Sequence, residues 1–124
     1  MRTLAITGPS RSGKTTLIVT LIRELVARGV SVAAIKHTHH PLNEDPHRGD
    51  TGAFLAAGAT PVVLAGDGEA VLHGDGVVSR ISFTSPLDLL DGLGSNVIID
   101  VVLIEGFKHF DGWPRITLDA VDVR

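Results

Sequence analysis

Residues Gly8 to Thr15 read G-P-S-R-S-G-K-T and fill the pattern G-x-x-x-x-G-K-[ST] at every fixed position. Each fixed residue type has a chemical reason. Glycines at 8 and 13 permit a tight turn that aims successive backbone N–H groups inward at phosphate oxygens. Lys14 can reach the β- and γ-phosphates as a mobile point charge, and the Thr15 hydroxyl can ligate Mg²⁺. A Gly-Ser-rich turn that merely ends in Lys-Thr would also fit the letters, so the flanks decide. Leu4 to Thr7 is a short strand-like run, and Leu17, Ile18, Leu21, Ile22, Leu25 and Val26 recur at helical spacing. Strand, glycine loop and helix is the setting a phosphate loop of the Walker A type requires, with the helix N-terminus adding its dipole.

The elements that must position this loop follow in order. The first helix is expected from Lys14 to about Arg28, ended by Gly29 in a left-handed turn. Ser31 to Lys36 is a second strand, giving a βαβ unit with a right-handed crossover. Residues 37–50 break all periodicity and read as a loop, which starts at the carboxyl edge shared with the phosphate loop. A short helix from Thr51 to Ala59, a strand from Pro61 to Ala65, and strands at Glu69–Leu72 and Val77–Phe83 come next. The last two are joined by His73-Gly74-Asp75-Gly76 as an edge hairpin. Ser85-Pro86 opens a brief helix interrupted by Gly92 and Gly94. Val101 to Glu105 is the buried strand of the most apolar run, and Arg115 to Val123 the last strand. The fold class is α/β: a mostly parallel sheet with flanking helices and an antiparallel edge hairpin, like the P-loop NTPases, in a single domain over residues 1–124.

Composition agrees. Of 124 residues, 44% are hydrophobic and only 4% aromatic, which suits an aliphatic parallel sheet covered by helices. No run of about 18 apolar residues exists to span a membrane. Met1 leads directly into strand-like sequence without a signal peptide, and cysteine is absent, so the expected location is cytoplasmic. The net charge is −3, but residues 1–36 carry six basic side chains against the single acid Glu24. That excess suits an anionic ligand of the phosphate loop; the acidic remainder argues against nucleic acid.

Phosphate-loop proteins also need a carboxylate at the end of a neighbouring buried strand. Asp100 and Glu105 both offer one, but an extended strand separates them by about 17 Å. Glu105 stands at the ligand edge and Asp100 at the strand's start. The alternative makes Glu105 simply the first exposed residue after the strand. His37, His39, His40 and His47 cluster in the loop, where they could bind phosphates, a partner or a transition metal, or be solvated. Lys36, at the strand end, is expected to face an anion, and Asp50 offers another Mg²⁺ ligand.

Four stretches together resemble the molybdopterin-guanine dinucleotide biosynthesis protein B (MobB) family. They are G-P-S-R-S-G-K-T-T-L at Gly8–Leu17, K-H-T-H-H at Lys36–His40, D-T with A-A-G-A-T around Asp50–Thr60, and V-L-I-E-G-F-K at Val102–Lys108. The resemblance implies a homodimeric GTP-binding accessory, using Mg²⁺ and hydrolysing GTP slowly at most. It would assist the guanylyltransferase that joins GMP to molybdopterin. It also implies nucleotide contacts from Gly8, Pro9, Ser10, Arg11, Ser12, Gly13, Lys14, Thr15, Thr16, Lys36, His37, His39, His40 and Asp50. Thr15, Glu105 and Asp50 would be the Mg²⁺ side, and Glu105 with Lys14 the groups serving hydrolysis. Relatives usually carry P-G-K-D-S where this chain has Pro46-His47-Arg48-Gly49-Asp50-Thr51, so the lysine is missing at its expected place and Arg48 is its candidate substitute, with different reach and geometry. No N-K-x-D sequence is present for guanine recognition, so guanine preference is implied by the resemblance alone. Two other functions fit a phosphate loop: a small-molecule kinase, which would need mobile arginines over the transferred group, and a metal-handling chaperone switched by nucleotide.

Overall fold

The computed structural model describes residues 1–42, 49–93 and 98–119. The elements run β1 (Arg2–Thr7), α1 (Lys14–Ala27), β2 (Val32–His37), α2 (Gly49–Ala57), β3 (Val62–Ala65), β4 (Glu69–Gly74), β5 (Val77–Ser82), α3 (Pro86–Asp91), β6 (Val101–Glu105) and β7 (Arg115–Thr117). Seven strands make one sheet in the order β5-β4-β3-β2-β6-β1-β7. The five strands from β3 to β7 in that order are parallel, and β4 and β5 are antiparallel additions at one edge. The expected α/β class with its edge hairpin is therefore the observed one. β1 and β2 both flank β6, so the phosphate loop, Glu105 and the end of β2 open on one carboxyl edge.

The strand alternation splits the interior in two. Ile6, Val32, Ala34 and Leu103 face α1 and α2, where they pack with Ile18, Ile22, Phe54 and Ala57. Ala5, Ala33, Ile35, Val102 and Ile104 face the other side, against Leu89, Leu93, Ile99 and Trp113. A sheet buried on both faces explains why its strands read as unbroken aliphatic runs.

Several boundaries were legible from local chemistry. Ser85 accepts a hydrogen bond from Leu87 N, and Asp88 Oδ2 accepts from Ser85 N, completing a capping box with Pro86 in the first turn. Arg28 caps α1, Gly29 follows at φ 80°, and Glu24 pairs with Arg28 at 3.3 Å on the exposed face. Asp100 does stand at the start of β6, where Oδ2 accepts from Ser31 N at 2.9 Å.

Other boundaries moved. The hairpin turn is the two-residue Asp75-Gly76, both at positive φ, because His73 and Gly74 pair with Val78 and Val77. His73 is accordingly buried. α2 spans Gly49–Ala57, so Asp50 belongs to its first turn, where a carboxylate suits the helix dipole. Phe54 is wholly buried, while Leu55 is only partly so. β7 ends at Thr117 among the described residues; the expected continuation over residues 120–123 lies outside them, as do Gly94, His47 and Arg48. No helix among the described residues is long and apolar enough to cross a membrane.

Phe54→Ala should lower unfolding free energy by about 3–5 kcal/mol in urea titrations, the cost of emptying a closed aromatic site. Ser85→Ala, at an exposed cap, should cost about 1 kcal/mol.

Candidate functional site

The phosphate loop leaves β1 at Thr7, whose hydroxyl meets that of Thr117 at 3.1 Å. Gly8 sits at φ 150°, and a Cβ there would lie 2.6 Å from the Leu118 carbonyl oxygen. The backbone can pass only without a side chain. Gly13, at φ 94°, is the N-cap of α1 and provides no side-chain bond, and the first turn holds no acidic residue. A helix start left open in this way accepts an anion. Ser12 is buried, and its Oγ has no hydrogen-bond partner among the described residues. Such an orphaned hydroxyl inside the loop fits a ligand bearing phosphate oxygens. Lys14 Nζ donates to the Gly8 and Pro9 carbonyls at 2.7 and 2.9 Å, which folds the ammonium back over the loop.

Beside the loop, Glu105 ends β6 and is 2% exposed. It is thus no mere first exposed residue after a strand. Thr15 Oγ1 donates to its Oε1 at 2.7 Å, and Lys36 Nζ pairs with its Oε2. The same ammonium lies 2.6 Å from Asp50 Oδ2. Lys36 was expected to face an anion, and among the described residues it bridges two carboxylates of the chain. The cause is register: Lys36 is directly opposite Glu105 in the parallel β2–β6 pair, so both side chains leave the same face. Burial pulls the Lys36 pKa down, but the hydrogen bonds and charges of Asp50 and Glu105 outweigh it and raise the value. The ammonium stays charged. Thr15, Asp50 and Glu105 form an oxygen donor set that could hold Mg²⁺, which would compete with Lys36 for the two carboxylates.

Two cavities adjoin this centre. One, of about 350 Å³, runs along the loop and α1 start and is bounded by Arg11, Thr15, Thr16, Lys36, Asp50 and Glu105. The other, of about 730 Å³, shares Ser10, Lys14, Lys36 and Glu105, adds Gly8, and extends to His37, His39 and residues 106–110. Pro9 and Ser12 shape the loop without lining either space, and His40 is exposed outside both.

Lys36 and His37 are neighbours on an extended strand, so they leave opposite faces of the sheet. His37 turns to the side of α3 and stacks on Phe107, with ring centroids 4.1 Å apart and planes within 7°. Burial pushes the His37 imidazole below its ordinary range, the charge of His39 adds to this, and Asp67 opposes it. Gly106 makes the close approach possible: a Cβ there would lie 2.9 Å from His37 Cβ. Phe107 itself holds φ 52°, a left-handed conformation rare for an aromatic residue. Phe107, Lys108, His109 and Phe110 were given no role by sequence reasoning, although the first two belong to the E-G-F-K stretch. Asp67 carried no signal either, since a Gly-Asp-Gly turn reads as ordinary loop chemistry.

Removing Lys36 tests how far the centre depends on it. Lys36→Met should lower stability by about 3–5 kcal/mol, the cost of an uncompensated buried charge, and Lys36→Met/Glu105→Gln should recover most of that in the same denaturation assay.

Comparison with known proteins places this geometry. Residues 3–120 match the family described as Molybdopterin guanine dinucleotide synthesis protein B, MobB. The Molybdopterin-guanine dinucleotide biosynthesis adapter protein of Haemophilus influenzae is 38% identical over 115 residues, covering 93% of this chain and 61% of that protein. The Escherichia coli protein of the same description is 35% identical over 108 residues, covering 86% and 59%. The chain thus spans about three fifths of the length of these relatives. Two solved structures share the fold. A MobB protein homolog from Bacillus stearothermophilus has TM-score 0.56 and 22% identity, covering 96% of this chain and 64% of that one. Bacillus subtilis MobB has TM-score 0.57 and 24% identity, covering 95% and 68%. With its loop, its acidic strand end and nearly its whole length matched, the chain belongs to the MobB family.

Proposed function

We propose that this chain binds GTP with Mg²⁺ and acts as an adapter in the conversion of molybdopterin to molybdopterin guanine dinucleotide. The observation that carries the reading is the joining of the phosphate loop to the buried Glu105 through Thr15. The loop and the open start of α1 receive the phosphates, and Lys14 adds positive charge beside them. Thr15, Glu105 and Asp50 hold Mg²⁺, which screens phosphate charge when bound. The adapter role comes from family membership and from the description of the two relatives. The same family likeness supports a guanylyltransferase partner, a homodimer and a cytoplasmic location. GTP hydrolysis is slow at most, with Glu105 polarising water in it.

A kinase would need free arginines above the transferred phosphoryl group. Arg115 instead donates to the Lys108 carbonyl and to Asp111 Oδ1, and Arg80 faces Glu69 at 3.5 Å on the edge hairpin. Neither lines the cavities beside the phosphate loop, which favours the adapter; Arg48 lies outside the described residues.

Titration with GTP, ATP and a nonhydrolysable GTP analogue in Mg²⁺, followed by turnover with candidate acceptors, tests the reading. GTP should bind more tightly than ATP and turn over slowly; rapid phosphoryl transfer to a small molecule would refute the adapter. Lys14→Ala should weaken triphosphate binding by more than about 100-fold, through loss of the charge-assisted contacts. Glu105→Gln should keep affinity within a few-fold and reduce Mg²⁺-dependent turnover by about tenfold or more.

A further inference from the structure

We propose that His37, His39 and Asp67 form a binding site for a divalent transition metal of the zinc type, on the sheet face opposite the Mg²⁺ carboxylates. One ligand atom from each lies within 4.8 Å of the others. His37 Nε2 stands 3.5 Å from Asp67 Oδ1, and the two imidazole rings meet edge to face with centroids 4.8 Å apart. A tetrahedral ion with bonds of about 2.0–2.1 Å spaces its ligand atoms about 3.4 Å apart. The His37–Asp67 pair already has that spacing. His39 and Asp67 are exposed, so small side-chain rotations close the rest of the gap.

The backbone builds this cluster. β2 and β3 pair in parallel with His37 opposite Ala65, and Thr38 N donates to the Ala65 carbonyl at 2.8 Å just beyond. Two residues past that pair, beyond the strand ends, stand His39 after β2 and Asp67 after β3. Each is held by a turn: His40 N donates to Thr38 Oγ1, and Gly66 N donates to the Glu69 carbonyl. The His37 ring is fixed by its stack on Phe107, so one ligand is oriented before any ion arrives.

The donor set selects the ion. Two imidazoles and one carboxylate suit Zn²⁺, Co²⁺ or Ni²⁺, whereas Mg²⁺ prefers oxygen and sits with the carboxylates of the other face. Three protein ligands leave a fourth position, which takes water or an anionic oxygen from a molecule in the 730 Å³ cavity that His37 and His39 line. The assignment does not depend on the nucleotide reading, because no ligand belongs to the phosphate loop.

The test uses tag-free, chelator-treated full-length protein. Co²⁺ is titrated while the intensity of its visible bands reports tetrahedral coordination, and Zn²⁺ is titrated by calorimetry with excess Mg²⁺ present. One Zn²⁺ per chain should bind, undisplaced by Mg²⁺. His39→Ala and Asp67→Asn, both at exposed positions, should each weaken it by more than about tenfold. His40→Ala should leave Zn²⁺ affinity unchanged, and Lys14→Ala should keep Zn²⁺ even where it loses GTP. Absence of Zn²⁺ binding, displacement by Mg²⁺, or equal affinity in His39→Ala and Asp67→Asn would overturn the site. So would a loss in His40→Ala as large as in His39→Ala.

Discussion

A carboxylate at the end of a strand that is covered on both faces must find positive charge or lose much of the stability of its surroundings. Glu105 is that carboxylate, and Lys36 is its answer. Three elements are tied together by the solution: β6 supplies the acid, β2 the ammonium, and α2 a second acid in Asp50. Thr15 then connects the group to the phosphate loop. The carboxyl edge of the sheet is thus a small charge network in which each member is held by another. A cation brought in with a ligand meets two carboxylates that a single ammonium already holds, and binding there is an exchange of one positive partner for another.

The alternation of the strands divides that edge chemically. On the α1 and α2 side lie the phosphate loop, Lys36, Asp50 and Glu105. On the α3 side lie His37, Phe107 and the histidine–aspartate cluster. Lys14, Lys36 and Glu105 line both cavities, so the two faces are in contact at the rim without being one site.

Much of this was written locally in the sequence. The glycine loop, the Ser85 cap, the Gly29 stop and the aliphatic strands each declare themselves within a few residues, because turn geometry and capping are short-range chemistry. Glu105 was legible for a related reason: the polar residue ending an apolar run stands at an edge. The carboxylate partner of Lys36 was not legible because it is 69 positions away and strand order is not a local property. The edge between β2 and β6, which sets the whole centre, is a long-range pairing that periodicity does not report. Asp67 and Phe107 escaped for the same reason. A Gly-Asp-Gly turn and a phenylalanine after glycine acquire meaning only when β3 and β6 bring them to the end of β2.

The pairing of Lys36 with Glu105 also bears on how the chain finds its fold. β2 reads V-A-A-I-K-H, and its first four residues are buried on both faces. Hydrophobicity is therefore nearly blind to a slip of one residue against β6, since valine, alanine and isoleucine would still be covered either way. The charges are not blind. A shift by one position would turn the ammonium to the opposite side of the sheet and seal Glu105 in with no cation. The two residues thus serve as a proofreading mark for strand alignment, rejecting misfolded pairings that the greasy part of the strand would accept.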